Sequence, residues 1–294
     1  LGPGALRRTA SPARMKALPL ATAVPWDDLE RVVILSPHLD DAALSCGGLL
    51  DFLSTRQAGA LVISIYCGNP PPVKNGDGSL RTLQRKGYVN PRLRRLEDRA
   101  AMHASNTDFV HLSFPDNIYR RSPTTDQFIY RHAHERWSSP RVDDMGHVEE
   151  LYLVLRRLSL NLGRMLLVSP MGIGQHVDHT IVARVALRLA EQGASLLFYE
   201  DFPYVVNPTI GSGLHDDPRQ ALQRLDRAPS ACLALPVNVD AKAALIGHYG
   251  TQIPALFQDE AGLREALQVR QHGGQPCEFY WKTRELRPTR EEHR

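Results

Sequence analysis

The sequence predicts an α/β fold in which a mostly parallel central sheet lies between helices on both faces, forming three layers. Short apolar runs rich in Val, Ile and Leu alternate along the chain with longer segments of helical character. The runs lack strict alternation of polar and apolar residues, as expected for strands that are buried on both faces. Repeated strand–helix units of this kind favour parallel strands joined by helical crossovers.

Five strands and six helices are predicted from these patterns. The strands are predicted at 31–36, 60–66, 108–113, 164–169 and 195–200. The helices are predicted at 42–57, 91–105, 147–160, 178–192, 240–250 and 259–271. Gly59 marks the end of the first helix, and Pro91 suits the first turn of the second. Two polar loops, 68–90 and 114–146, are long enough to form the walls of a pocket, and residues 201–235 are predicted to be irregular.

Length and composition allow one large domain or two small ones. The chain has 294 residues, of which 43% are hydrophobic, enough for a sizeable core. We predict a single domain at 26–283, preceded by a disordered or tag-like extension at 1–25 and followed by a charged tail at 284–294.

Charge and cysteine content narrow the choice of partners and location. The net charge of +3 is too small to indicate nucleic-acid binding, and no apolar stretch approaches the roughly 20 residues of a membrane span. The four cysteines form no CxxC pair, which favours a reduced, cytoplasmic protein. Oligomeric state is not indicated.

The first chemical cluster is Ser36-Pro37-His38-Leu39-Asp40-Asp41, directly after the first predicted strand. Open α/β sheets place their sites at the carboxyl ends of strands. The simpler explanation is that Asp40 and Asp41 only cap the following helix, which Asp does well. A cap explains one carboxylate, but not an imidazole and two carboxylates at one strand end.

The second cluster is His176-Val177-Asp178-His179, after the strand predicted at 164–169. His176 and His179 are three residues apart at a helix start and so share one face. Asp178 would orient His176 and raise its pKa, keeping it protonated. Two such clusters at strand ends predict one metal site with catalytic groups beside it.

His38, Asp41 and His179 would supply three ligands and leave a position open, as catalytic zinc sites do. A bound metal lowers the pKa of water from about 15.7 to about 7, and Asp40 would then take its proton as general base. Such a ligand set does not discriminate strongly between Zn²⁺ and another divalent ion such as Fe²⁺.

These motifs resemble those of the PIG-L/LmbE-like superfamily of zinc-dependent N-acetylglucosaminyl deacetylases. The family's His-Pro-Asp-Asp and His-Pro-Asp-His patterns correspond to residues 38–41 and 176–179, with Leu39 and Val177 in place of proline. The family's Glu after the Asp pair is Ala42 here, so any role of that carboxylate is absent. The resemblance implies a Rossmann-like fold and covers about residues 31–256.

Carried over by position, the resemblance implies zinc on His38, Asp41 and His179. It implies Asp40 as general base and His176 as the group that stabilises the tetrahedral intermediate. Weaker similarity at the Arg-rich helix 91–105 and at Phe114-Pro115-Asp116 implies that Arg94 and Asp116 hold the sugar, against the simpler roles of a solvated helix face and a turn residue.

Three further residues are weighed between a site role and a structural one. Glu200 and Asp201 end the fifth predicted strand and are pocket candidates, with a plain loop as the alternative. Trp137 could stack on a sugar, although local packing is the simpler expectation.

The expected function is removal of the N-acetyl group from an acetamido sugar in a small-molecule conjugate, releasing acetate and a free amine. A metal-dependent amidase or esterase acting on a non-sugar substrate, and a non-catalytic carbohydrate-binding relative, remain alternatives. The presence of the base Asp40 beside a complete ligand set favours catalysis. The conjugate itself (a sugar-containing antibiotic, a thiol cofactor precursor or a glycolipid) is left open.

Overall fold

The apolar runs of the sequence form the centre of one mixed sheet in the computed structural model, which describes residues 16–56, 58–72, 90–158, 164–213 and 216–285. The strands of this described part are β1 (Leu18–Pro19), β2 (Arg31–Ser36), β3 (Ala60–Ser64), β4 (Asp108–His111), β5 (Met165–Pro170), β6 (Ser195–Tyr199), β7 (Arg227–Pro236), β8 (Gln271–His272) and β9 (Gln275–Glu285).

Helices cover the sheet and connect its parallel strands. They are α1 (Leu20–Ala23), α2 (Asp41–Thr55), α3 (Pro91–Ala104), α4 (Met145–Leu158), α5 (Val177–Ala190), α6 (Pro218–Arg224), α7 (Val239–Gly247), α8 (Ile253–Leu256) and α9 (Glu260–Leu267). In the described part of the chain, no helix combines the length and the apolar character needed to cross a bilayer.

The order of the strands creates a crevice at the middle of the sheet. The order is β1-β7-β9-β6-β5-β2-β3-β4, with β8 paired to β9. The strand β2 is parallel to both β3 and β5, and Ile34 lies between Val62 on one side and Val168 on the other. The chain builds outward from β2 through β3 and β4, then returns to β5 on the opposite side. Ligands of open α/β sheets bind at this type of reversal, and both predicted clusters follow the two strands that flank it.

The helix that begins at the first cluster is fixed to the far part of the sheet. Its backbone breaks at Cys46, where φ is −126° and ψ is 16°. Just beyond the break, the N–H groups of Gly48 and Leu49 donate to the Glu278 carboxylate at 2.7 and 3.0 Å. Lys242 Nζ lies 2.6 Å from the same carboxylate and neutralises it in a buried setting. The start of α2 is thereby held at a defined place relative to β9 and α7.

The predicted α/β class, strands and helices are confirmed, with differences of a few residues at their ends, but two parts of the prediction are wrong. The segment 201–235 contains α6 and most of β7, and β9 was not predicted. Pro229 and Pro236 in β7 argued against a strand, because proline cannot donate to a ladder. Pro229 lies at a register shift, where that missing bond matters least.

The amino-terminal boundary also differs from the prediction. Leu18–Pro19 pairs in parallel with Leu233 and Ala234 of β7, and the Leu20 side chain is fully buried. Residues 16–25 are therefore part of the domain, while 1–15 lie outside the described residues. Residues 73–89 of the first predicted loop and 286–294 of the predicted tail also lie outside the described residues. The first two residues of that tail, Arg284 and Glu285, form the end of β9.

Candidate active site

Hydrogen bonds within the turn after β2 hold the first cluster in place. Ser36 Oγ donates to the His38 carbonyl at 2.6 Å and accepts from the Ala42 N–H at 2.9 Å. The Asp41 carboxylate accepts from the His38 N–H at 2.8 Å. These bonds satisfy backbone groups at the start of α2 and fix the direction of the Ser36 and Asp41 side chains.

A glycine-rich turn brings the second cluster to the same place. His176 is the N-cap residue of α5, and its Nδ1 accepts from the Asp178 N–H at 3.3 Å. Two residues earlier, Gly174 has a φ of +83°, and a Cβ on it would lie 2.9 Å from the Tyr204 side chain. Only glycine suits this position, because the conformation and the space both exclude a side chain.

The three predicted metal ligands meet between the two clusters. Asp41 Oδ2 lies 3.2 Å from His38 Nδ1 and 3.3 Å from His179 Nε2. The centroids of the two imidazoles are 5.3 Å apart. The tips of β2 and β5 thus bring together residues that are more than a hundred positions apart in sequence.

Imidazole and carboxylate donors of this kind suit a divalent metal. Among the described residues, the trios whose donor atoms all lie within 4.8 Å of one another are His38, His176 and His179, and His38, Asp116 and Asp178, so Asp41 belongs to neither. His38 Nε2 lies 3.1 Å from the Asp178 carboxylate, and His179 Nδ1 lies 2.7 Å from Asp201. When each ring is neutral and its carboxylate partner accepts the N–H, the other nitrogen of the ring turns its lone pair towards Asp41. His179 Nε2 is buried, and within the described part of the chain it has no hydrogen-bond partner. Two ring nitrogens that face one carboxylate oxygen need positive charge between them, which either protons on the rings or a metal ion supplies.

The ionisation of these groups agrees with that requirement. Burial opposes the charged imidazole, but Asp41 and Asp201 together raise the pKa of His179 to about 9. Burial likewise opposes ionisation of Asp41, yet His179 and His38 hold its pKa well below the usual range. The site is therefore built to hold positive charge between the rings and the carboxylate.

Asp40 has a different environment from Asp41. Its Oδ1 accepts from Arg94 at 2.7 Å, and both side chains are largely buried. Burial raises the pKa of Asp40, and the charge of Arg94 offsets part of that rise. Arg94, predicted as a sugar ligand, thus contacts the candidate base, although it also lines the pocket.

The predicted link between Asp178 and His176 is wrong in its details. The Asp178 carboxylate contacts His38, and it also accepts from Arg120 at 2.6 Å and from Asn117 at 2.9 Å. Only the backbone N–H of Asp178 reaches His176. The Asp178 side chain is therefore placed to orient a candidate metal ligand.

The electrostatic surroundings of His176 oppose the protonation expected from the sequence. Burial, joined by the nearby His38, holds the pKa of His176 well below its ordinary value. Since its Nδ1 accepts a hydrogen bond, the neutral ring carries its proton on Nε2. Desolvation lowers the pKa of His176 by more than the Asp178 carboxylate raises it. The nearest partners of that carboxylate are Arg120 and Asn117.

A pocket of about 350 Å³ opens over these groups. One part of its lining is polar and includes Asp40, Arg94, Asp116, Asn117, Thr251 and Gln252. The other is aromatic and aliphatic and includes Trp137, Pro203, Tyr204, Ile210 and Leu256. Asp116 also caps the short helix that follows it, accepting from the Ile118 N–H at 3.2 Å.

Several site residues were missed or undervalued in the sequence. Trp137, expected to serve local packing, lines the pocket edge to face with His176, the ring centroids 4.9 Å apart. Asp201, one of two strand-end candidates, binds His179, whereas Glu200 pairs with Arg270 at 2.6 Å away from the pocket. The strand-end position was the only sequence signal for Asp201, and Arg120 and Asn117 had none.

Comparisons with known proteins identify relatives of this chain. The family described as PIG-L: GlcNAc-PI de-N-acetylase matches residues 33–190. A 2'-N-acetylparomamine deacetylase of Niallia circulans is 28% identical over 252 residues, covering 80% of this chain and 85% of that protein. A 2'-N-acetylparomamine deacetylase of Streptomyces fradiae is 31% identical over 179 residues, covering 59% of this chain and 57% of that protein.

A solved structure agrees with the fold. The zinc inhibited form of teicoplanin deacetylase Orf2 superimposes with a TM-score of 0.70 at 24% identity, covering 88% of this chain and 100% of that chain. The family match spans more than half of the chain and contains both clusters. The chain therefore belongs to the PIG-L family.

Proposed function

We propose that this protein is a metal-dependent hydrolase that removes the N-acetyl group from an acetamido sugar in a small-molecule conjugate, releasing acetate and a free amine. The observation that carries the proposal is the convergence of His38, Asp41 and His179 beside a pocket whose lining includes His38, Asp40 and Asp41. The names of the two relatives support an N-acetylated sugar conjugate as the substrate class.

His38, Asp41 and His179 would hold the ion, for which Zn²⁺ is the first choice and Fe²⁺ the alternative. When bound, a divalent ion supplies a water of lowered pKa and polarises the acetyl carbonyl. Asp178 keeps the imidazole of His38 in the tautomer that ligation requires.

Asp40 is the proposed general base and proton carrier. Its carboxylate takes a proton from the attacking water and later gives it to the departing nitrogen. Arg94 keeps Asp40 ionised in its buried setting, because a guanidinium at 2.7 Å favours the charged carboxylate. The rise in pKa from burial brings Asp40 closer to the operating pH, where a base is most effective.

His176 is the proposed donor to the developing oxyanion. The hydrogen bond accepted at Nδ1 leaves the proton of the neutral His176 ring on Nε2, and this N–H donates to the oxyanion. A donor of this kind contributes about 3–4 kcal/mol to transition-state stabilisation in comparable sites. Trp137 packs against the ring and limits its rotation.

The two parts of the pocket suggest how a conjugate binds. Asp116, Thr251 and Gln252 present acceptors and donors suited to sugar hydroxyl groups. Trp137 and Tyr204 present ring surfaces suited to the apolar face of a sugar or to an aglycone. We also propose a cytoplasmic location, supported by four cysteines that are all unpaired and buried.

The test combines metal analysis with acetate release over a panel of N-acetylated aminoglycosides, other N-acetylglucosamine conjugates and non-sugar acetamides. We expect metal-dependent release from the sugar conjugates. We expect Asp40→Asn to lose about 10²–10⁴-fold in rate while retaining metal. Turnover of the non-sugar acetamides alone would overturn the substrate class, and normal acetate release by Asp40→Asn would remove Asp40 as the base.

A further inference from the structure

Asp201 connects the two halves of the site, although it belongs to neither cluster. It follows β6, and its side chain is fully buried. Its Oδ1 accepts from His179 Nδ1 at 2.7 Å. Its Oδ2 accepts from the N–H groups of Met171 at 3.1 Å and Ile173 at 2.8 Å. One carboxylate thus holds a candidate metal ligand and the turn that leads to His176.

We propose that Asp201 is a positioning residue that sets the metal-facing tautomer of His179 and locks it to the turn carrying His176. This inference rests on the metal site of the proposed function, but it concerns how the site is assembled and requires no substrate.

Three N–H donors face the carboxylate of Asp201. A carboxylate only accepts, so all three neighbouring N–H groups are satisfied and the proton of His179 stays on Nδ1. The lone pair of Nε2 then faces Asp41, 3.3 Å away. The segment after Asp201 is anchored separately, since the Phe202 N–H donates to Ser45 Oγ at 3.1 Å.

An asparagine at this position cannot satisfy the same three donors. Its single carbonyl oxygen is expected to stay with the two backbone N–H groups, because the amide NH₂ would otherwise face both of them. The NH₂ then points at His179 Nδ1, which must accept. The proton of the neutral ring moves to Nε2, and the lone pair that would bind a metal is lost.

Asp216 offers a matched control on the same turn. It accepts from the Gly174 N–H at 3.1 Å and pairs with Arg224 at 2.8 Å. In the part of the chain that the structure describes, its side-chain contacts go to these residues and none goes to His179. Asp216→Asn therefore loosens the turn without changing the imidazole.

The experiment measures the affinity of Zn²⁺ alone for the full chain by competition with a chelating dye, with no substrate present. We expect Asp201→Asn to lose 10–100-fold in affinity, the usual effect of removing such a partner, and Asp216→Asn to stay within about threefold of the parent. Parent-like affinity in Asp201→Asn, or equal losses in both variants, would overturn the inference.

Two further measurements separate the possible failures. If Asp201→Asn does not fold, as judged by circular dichroism, nitrogen NMR of the zinc-loaded parent decides the matter. We expect a proton on His179 Nδ1, and an unprotonated Nδ1 would refute the tautomer assignment. If the parent itself binds no Zn²⁺, the metal site of the proposed function fails, which is a different result from equal binding by parent and variant.

Discussion

Replacing Arg94 by methionine is expected to shift the acid limb of the pH–rate profile to higher pH. Arg94 donates to Asp40 at 2.7 Å, and both side chains are largely buried. The positive charge of Arg94 stabilises the ionised carboxylate of Asp40. Burial already raises the pKa of Asp40, and removal of that charge raises it further. A general base must be ionised to act, and the variant therefore loses activity at a higher pH than the parent.

The size of the shift follows from the geometry of the pair. Two unit charges about 4 Å apart interact by about 4 kcal/mol at an effective dielectric constant near 20. At about 1.4 kcal/mol for each pH unit, this is an upper bound of about three units. Water entering the pocket reduces it, so we expect a shift of about one to three units.

The assay is the pH dependence of kcat/KM for acetate release from an N-acetylated sugar conjugate. The control is Arg95→Met, on the same helix, because Arg95 binds the Cys67 carbonyl and Asn69 rather than Asp40. We expect an unshifted profile in this control. A higher KM in Arg94→Met with an unshifted acid limb would refute the electrostatic role and return Arg94 to the sugar-binding role that its sequence motif implies.

Three further predictions concern stability and the glycine turn. Lys242→Met leaves the buried Glu278 charge unpaired and should cost about 3–5 kcal/mol in urea denaturation, with partial recovery on adding Glu278→Gln. Burial, together with Arg120, lowers the pKa of His147 to about 4. As the pH falls, the unfolded chain therefore binds this proton before the folded chain does. The contribution of His147 should lower the free energy of unfolding of the parent by up to about 2–3 kcal/mol between pH 6.5 and pH 4. His147→Phe should lack this contribution when the free energies of unfolding of parent and variant are compared at both pH values. Gly174→Ala should cost at least about 1–2 kcal/mol in thermal denaturation and lower kcat, because its φ is +83° and the new Cβ meets Tyr204; unchanged kcat would show that the turn tolerates the side chain.

The sequence by itself predicted the parallel core and a single site formed by the two clusters. Runs of branched apolar residues predict strands buried on both faces, and parallel strands place their carboxyl ends along one edge. Chemical groups directly after β2 and β5 then had to lie near each other once these strands became neighbours. The candidate ligands His38, Asp41 and His179 could be named for that reason.

Only the tertiary structure decided the partners of those groups. Asp40 pairs with Arg94, and Asp178 with Arg120, across 54 and 58 residues of sequence. Spacing along a chain carries no information about such contacts, nor about how far water is excluded from a side chain. His176 therefore differs from its expected protonation, because burial outweighs the carboxylate next to it in sequence. The strand β9 was not predicted for a related reason. It is stabilised by pairing with β6 and β7, and the residues of β9 do not indicate which strands it pairs with.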